Sequence, residues 1–226
     1  GNDYQNANDD CYIGMLRARY IEYKERVIRR FYKEHFVNFD RQIVLADCLT
    51  PLNNGSESFA DLQNAMAMIM KSFQYGQSSL LSRLFSPKID RLLFAATKAD
   101  HVTPEQHHNL VSLLNKLVYQ TKQALNFDTI KMKTLALASV KATKVGKSHY
   151  QGKDIPVIQG RQLSNDKKIT LFPGTVPAAI PNAEYWQQQA FNYITFAPAE
   201  SANIDECLSH LRMDQVLQFL LGDKLK

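Results

Sequence analysis

No stretch of the 226-residue chain approaches the roughly 18 consecutive apolar residues of a membrane-spanning helix, although 45% of its residues are hydrophobic. A transmembrane segment is therefore not expected. The opening residues lack the apolar core of a signal peptide, and cysteine is scarce, with Cys11, Cys48 and Cys207 too scattered for a disulfide framework or a thiolate metal site. A soluble, cytoplasmic protein is the expectation. Glycine is scarce too, at nine residues. The nearest thing to a glycine-rich phosphate cradle is Val145-Gly146-Lys147-Ser148, which ends as a phosphate loop does but has Lys141 where the loop's first glycine belongs. Its sequel, residues 149–156, has loop or hairpin character, so no helix start would face a phosphate. The net charge of +5 implies a mild attraction to phosphate and nothing stronger.

Against that background stands the run 91–100, Arg-Leu-Leu-Phe-Ala-Ala-Thr-Lys-Ala-Asp. A buried strand that delivers Lys98 and Asp100 at its carboxyl end is the arrangement with which GTP-binding proteins read guanine. The carboxylate accepts from N1 and N2 of the base, an edge adenine does not have, while the lysine stem lies over the purine plane. Two further apolar runs end in the same way: 41–49 brings Asp47 to a strand end, and 132–140 brings Ala138, Ser139 and Val140. Three buried strands separated by helix-length segments read as a parallel α/β sheet with its ligand crevice at the carboxyl ends.

The intervening periodicities fill in the remainder. A basic amphipathic helix is expected over about 11–36, with Met15, Tyr20, Tyr23, Val27, Phe31 and Phe36 on a packed stripe and a solvated charged face. A turn at Pro51 to Gly55 leads to a helix over about 58–74, striped by Phe59, Leu62, Ala65, Met66, Ile69, Met70 and Phe73. Thr103-Pro104-Glu105-Gln106 reads as a capped helix start, with Thr103 as cap and the helix running to about Leu125. Residues 141–181 are rich in turn formers and hold short β-prone pieces at 155–158 and 169–172, the mark of a hairpin-containing insertion. The segment 185–196, with Trp186, fits no element, and a final helix begins at Asp205 or Met213 and ends at Leu221.

The strings 40–49, 84–87, 92–103, 137–143, 172–174 and 219–225 together resemble the YcjX-like family of bacterial P-loop NTPases over most of the chain. The resemblance implies an α/β fold, part of a Ras-like three-layer P-loop NTPase sheet with a β-hairpin-containing insertion at about 141–200. It also implies that residues 1–226 are the carboxyl-terminal part of a longer protein whose phosphate loop lies upstream. GTP or GDP and Mg²⁺ are the implied cofactors. Asp47 takes the place of the strand-end aspartate that approaches Mg²⁺, without the glycine three residues on that senses the γ-phosphate. Lys98 and Asp100 take the guanine-reading places, Thr97 replaces the usual asparagine, and Ala138, Ser139 and Val140 form the loop behind the base.

The implied chemistry is Mg²⁺-dependent transfer of a phosphoryl group to water. No side chain in the chain stands out as the one that positions that water, and none of the six histidines shows metal-ligand spacing. By itself this chain is expected to fold, to bind GTP no tighter than about millimolar, and not to hydrolyse it. A non-catalytic interaction or scaffold module of a stress-related protein is the alternative. DNA or RNA binding has only the first helix's basic charge behind it, with no recognisable motif, and is not expected.

Overall fold

Strand formation follows the apolar runs. β1 spans Arg41–Ala46, β2 Arg91–Ala96 and β3 Lys131–Ala136, all parallel in the order β1-β2-β3. They are in register, with Arg41 beside Arg91 and Lys131, and Ala46 beside Ala96 and Ala136. β2 is paired on both edges, and its residues 92–96 are all buried, which is why it reads as a continuous apolar run rather than an alternating one. The computed structural model describes residues 8, 10–35, 39–72, 89–122, 130–188, 191, 193–199 and 208–225.

The chain divides into two compact units, residues 1–40 with 76–89 and residues 41–75 with 90–226. The first unit contains α1, Tyr12–Tyr23, a π-helical turn at Lys24–Ile28, and α2, Arg29–Glu34. Met15, Tyr20, Tyr23, Val27 and Phe31, expected on a packed stripe, are all exposed. Three exposed ion pairs one turn apart, Arg26–Glu22, Arg29–Glu25 and Arg30–Glu34, supply local support.

In the second unit β2 is covered on both faces, whereas β1, expected as a buried strand, leaves Ile43 and Leu45 exposed at the sheet's edge. Leu93 and Ala95 of β2 join Leu135, Leu137 and Val216 in one apolar cluster, against which Met213, Phe219 and Leu220 of α7 (Met213–Leu221) pack. Leu92, Phe94 and Ala96 point the other way, toward α5 (His107–Lys122), which packs in turn on α4 (Ser56–Ser72). The buried residues of these helices, Phe59, Met66, Met70, Leu110, Leu113 and Leu114, follow helical spacing. The result is a mixed α/β architecture with a parallel sheet.

Three local expectations need correction. The segment 51–55, read as a turn, lies in and directly after a short helix, α3 (Leu49–Asn54): Pro51 falls in its first turn, where no intrahelical donor is needed, and Gly55 ends it at φ 100°. Thr103 does not cap by its side chain; its hydroxyl is buried without a partner among the described residues, and its carbonyl accepts from Gln106 N instead. The Gln106 side chain turns away from the cap to accept from Val176 N at 3.0 Å. The unassigned 185–196 segment holds the end of α6 (Ala183–Gln188) and an aromatic run in which Phe191 meets Tyr185, Trp186 and Tyr193. Phe36, Phe73, Gln74, Leu125 and Asp205 lie outside the described residues.

Residues 143–171 form a second sheet, antiparallel, of β4 (Thr143–Tyr150), β5 (Lys153–Arg161) and β6 (Lys168–Leu171) in that order. Gly146, Lys147 and Ser148 sit mid-strand in β4 opposite Val157, Pro156 and Ile155, an extended conformation without a following helix start. Gly160 of β5 is where the Phe196 ring approaches the backbone; a Cβ there would meet that ring at 2.5 Å.

Because Phe94 is buried at the centre of the doubly covered strand, Phe94→Ala is expected to lower unfolding free energy by about 3–5 kcal/mol. Met68→Ala, on the exposed side of α4, is expected to change it by less than about 0.5 kcal/mol. Urea unfolding of the two variants checks both, and a Phe94→Ala loss below about 1 kcal/mol would contradict the packing described.

Candidate functional site

The carboxyl ends of the three parallel strands converge because the strands are in register. Thr97 extends the ladder by one bond, Thr97 N to Ala46 O at 2.9 Å, and its hydroxyl also faces that carbonyl at 3.4 Å. Leu137 N continues the other edge to Ala96 O at 2.8 Å. Asp47, the 97–100 segment and the 137–140 segment therefore leave the sheet at one level.

Lys98 adopts a left-handed conformation, φ 57° and ψ 31°. A non-glycine residue there costs about 1–2 kcal/mol, and such strain collects at functional turns. Its ammonium donates to Asp47 Oδ2 at 2.6 Å and to Thr50 Oγ1 at 3.2 Å. Asp47 Oδ2 also accepts from Thr50 Oγ1 at 2.7 Å, while Oδ1 accepts from Leu49 N and Thr50 N, each at 3.1 Å. This is the start of α3, so the aspartate caps that helix and braces the lysine with the same carboxylate. Burial alone would raise its pKa; the hydrogen bonds from Lys98 and Thr50, with the charge of Lys98, outweigh that and hold it below the ordinary aspartate value. All four acceptor directions of the carboxylate are in use, and no group of three acidic, histidine or cysteine side chains suited to a metal occurs among the described residues. In this arrangement Asp47 does not fit a divalent cation unless Lys98 releases it. The adjacent Cys48 is buried, which pushes its thiol up to about 12 with help from the Asp47 charge, and so it is an inert packing residue.

Asp100 is 6% exposed. Its Oδ2 accepts from Ala142 N at 2.5 Å and Thr143 N at 3.2 Å, and its backbone carbonyl accepts from the Thr143 hydroxyl. Oδ1 has no partner among the described residues, so one oxygen is anchored and the other is available. In the third segment the Ala138 N–H is committed to Leu211 O at 3.1 Å, and Lys141 N to Ser209 O at 2.8 Å. Ser139 is exposed and Val140 half-buried between them. Of the expected base-backing residues, Ala138 thus has no free N–H to offer.

Behind this loop His107 Nε2 donates to Ala99 O at 2.8 Å, and Arg212 donates to His107 Nδ1 at 3.2 Å and to Ala136 O at 2.9 Å. His101 is buried with its ring edge-on to Phe196 at 5.4 Å. Burial lowers the pKa of both histidines, more than the nearby Asp100 charge raises it. Ala142, Thr143, His107 and Arg212 were not singled out as site residues by the sequence. The supporting partners lie up to 105 positions away from the residues they hold, and no local pattern marks them. Of the adjacent His107 and His108, the first is buried and the second exposed.

In Lys98→Met, Asp47 loses the two opposing contributions of the ammonium while its burial remains. A carbon-13 carboxyl titration is expected to show its midpoint move upward. Since the folded value lies below the unfolded one, near about 3.9, the pair stabilises the fold above that pH and loses its effect as pH falls through the folded value. The variant should lack this part of the acid limb, and an unmoved midpoint would contradict the brace.

The sequence profile of the YcjX-like family, DUF463, matches residues 2–225. A Ras-like GTPase YcjX of Escherichia coli strain K12 is 50% identical over 220 residues, covering 97% of this chain and 47% of that protein. A Ras-like GTPase YcjX of Shewanella oneidensis is 46% identical over 215 residues, covering 94% of this chain and 44% of its own length. The chain spans about half the length of these curated relatives. A parallel sheet with its polar turns at one end agrees with a relationship to Ras-like proteins, and with a profile match across nearly its whole length the chain belongs to the YcjX-like family.

Proposed function

We propose that this chain carries the base-reading half of a guanine-nucleotide site in a GTPase of the Ras-like type. The observation that carries the reading is Asp100: a buried carboxylate at the end of β2, with Oδ2 anchored on two backbone N–H groups and Oδ1 left open. An acceptor held in this way suits the paired N1 and N2 donors of guanine and has no counterpart on adenine. Lys98, forced into the left-handed turn, supplies the stem that lies over the purine, and Ser139 and Val140 supply backbone donors toward the guanine oxygen. Thr97 holds the ends of β1 and β2 together, the task here of the position where an asparagine is more usual.

Phosphoryl transfer to water belongs, in this reading, to the intact protein, since no glycine-rich phosphate loop occurs among the 226 residues. A bound Mg²⁺ would supply charge stabilisation of the transferred phosphoryl group. Asp47 is the residue of this chain that could approach it, through a water and after exchange of Lys98. The residues of this chain otherwise bind and orient the base, and so fix where the phosphates lie.

Asp100→Ala in the intact protein is expected to cost at least about 2 kcal/mol of GTP affinity, the scale of a lost charge-assisted pair. Asp100→Asn keeps an acceptor for the Ala142 and Thr143 N–H groups while presenting a donor to the base, and it should shift preference toward xanthine nucleotides. Calorimetric titration with GTP, XTP and ATP checks this. Equal GTP and ATP affinity in the wild type, unaffected by either change, would overturn the reading.

A further inference from the structure

Among the described residues, a part-buried polar relay that starts at Arg212 reaches the candidate site from behind. This residue occupies a left-handed conformation, φ 59° and ψ 21°, at the beginning of α7, held by reciprocal backbone bonds between its neighbour Leu211 and Ala138. Its guanidinium donates to Ala136 O, the last carbonyl of β3, and to His107 Nδ1. A guanidinium has no acceptor, so Nδ1 must carry the lone pair and Nε2 the hydrogen. That hydrogen is directed at Ala99 O, 2.8 Å away. Ala99 is the residue between Lys98 and Asp100, and its N–H is tied to Leu137 O at 3.1 Å. Both peptide groups of the central residue of the turn are thus fixed, one by Leu137 just after β3 and the other by His107.

We propose that His107 and Arg212 are positioning residues for base recognition: Arg212 holds the imidazole in the tautomer whose Nε2–H fixes the Ala99 carbonyl, and so sets Lys98 and Asp100 in place for the guanine edge. The proposal rests on the guanine-reading function above. Neither side chain touches the base; they act through the turn. The arrangement works only with a neutral ring, because a second ring proton would place an N–H donor and a positive charge against the Arg212 guanidinium. The charged groups that face His107 are Arg212 from the start of α7, Asp100 from the 99–101 turn and Glu105 from the 104–106 turn, with burial and Arg212 keeping the ring neutral at ordinary pH. His101, the other histidine of the turn, faces Asp100, Lys98 and Asp47 instead.

The test is the ratio of ITP to GTP dissociation constants in the intact protein, measured from about pH 7.5 to about pH 5, the range over which histidines titrate. Inosine lacks the 2-amino group that Asp100 would read, and both nucleotides carry the same triphosphate, so phosphate protonation and a reduced folded fraction cancel from the ratio. In the wild type the ratio should be largest at the upper pH and fall by about fivefold or more on acidification, the scale of one weakened hydrogen bond. His107→Gln keeps a donor for Ala99 O and cannot titrate, so its ratio should stay near the wild-type upper value and be flat with pH. His107→Leu should have a low ratio at every pH. Arg212→Met removes the charge that disfavours protonation, so the fall should begin at higher pH. A His107→Gln profile that matches the wild-type one, or a His107→Leu ratio equal to that of the wild type, would overturn the proposal. Absence of GTP binding by the wild type at the upper pH would instead overturn the functional reading itself.

Discussion

The pairing of β2 on both edges is the constraint on which the rest of this architecture depends. Parallel ladders to β1 and β3, in register from Arg91 to Ala96, leave no edge of that strand open and bury residues 92–96. Helices must then cover both faces, α7 on the side of Leu93 and Ala95 and α5 on the side of Leu92 and Phe94. Register also decides chemistry: strands that finish on one rung deliver Asp47, Thr97 and Leu137 at one level, and everything proposed for the site follows from that shared exit.

Held in this way, the turn after β2 is over-determined. Thr97 is bonded to β1, Ala99 to Leu137 just after β3 and to His107, Asp100 to Ala142 and to the first residue of β4, and Lys98 to Asp47. Such redundancy is what sustains a left-handed lysine, whose conformation would otherwise relax. It also means that the antiparallel sheet is joined to the candidate site at its first residue, Thr143, whose N–H and hydroxyl both grip Asp100. The exposed remainder of β4 extends away from a buried anchor.

What could be read directly from the sequence was what local patterning encodes. Continuous apolar runs marked β1, β2 and β3, and helical spacing marked α4, α5 and the last helix from Met213. That Asp47 and Thr97 follow directly on the ends of β1 and β2 was legible because the apolar runs that mark the strands also mark where they stop. Features governed by competition among partners were not visible. Pro51 reads as a turn former yet fits the first turn of α3 once Asp47 caps it, and Thr103 reads as a cap yet loses Gln106 to Val176. Asp47 and Lys98 are 51 positions apart, so their ion pair, and with it the difficulty of placing a cation on Asp47, emerges only from the strand register.

At the other pole of the sheet, Arg41 and Arg91 begin β1 and β2 and reach across to the end of α7. Arg41 Nη1 donates to Leu220 O at 2.5 Å, its two terminal nitrogens grip Asp223 at 2.6 and 2.7 Å, and Arg91 donates to Phe219 O at 2.5 Å. The Arg41 hydrogen bonds bring the Asp223 carboxyl down to about 2, so this clasp stays closed well into acid. α7 is nine residues long, about 13 Å at helical rise, and it is pinned at its far end by Arg212 beneath the 97–100 turn. It is therefore a strut loaded at both ends. Loss of the Asp223 clasp would free the foot of this strut while Val216, Phe219 and Leu220 still hold its length to the sheet and Arg212 its other end.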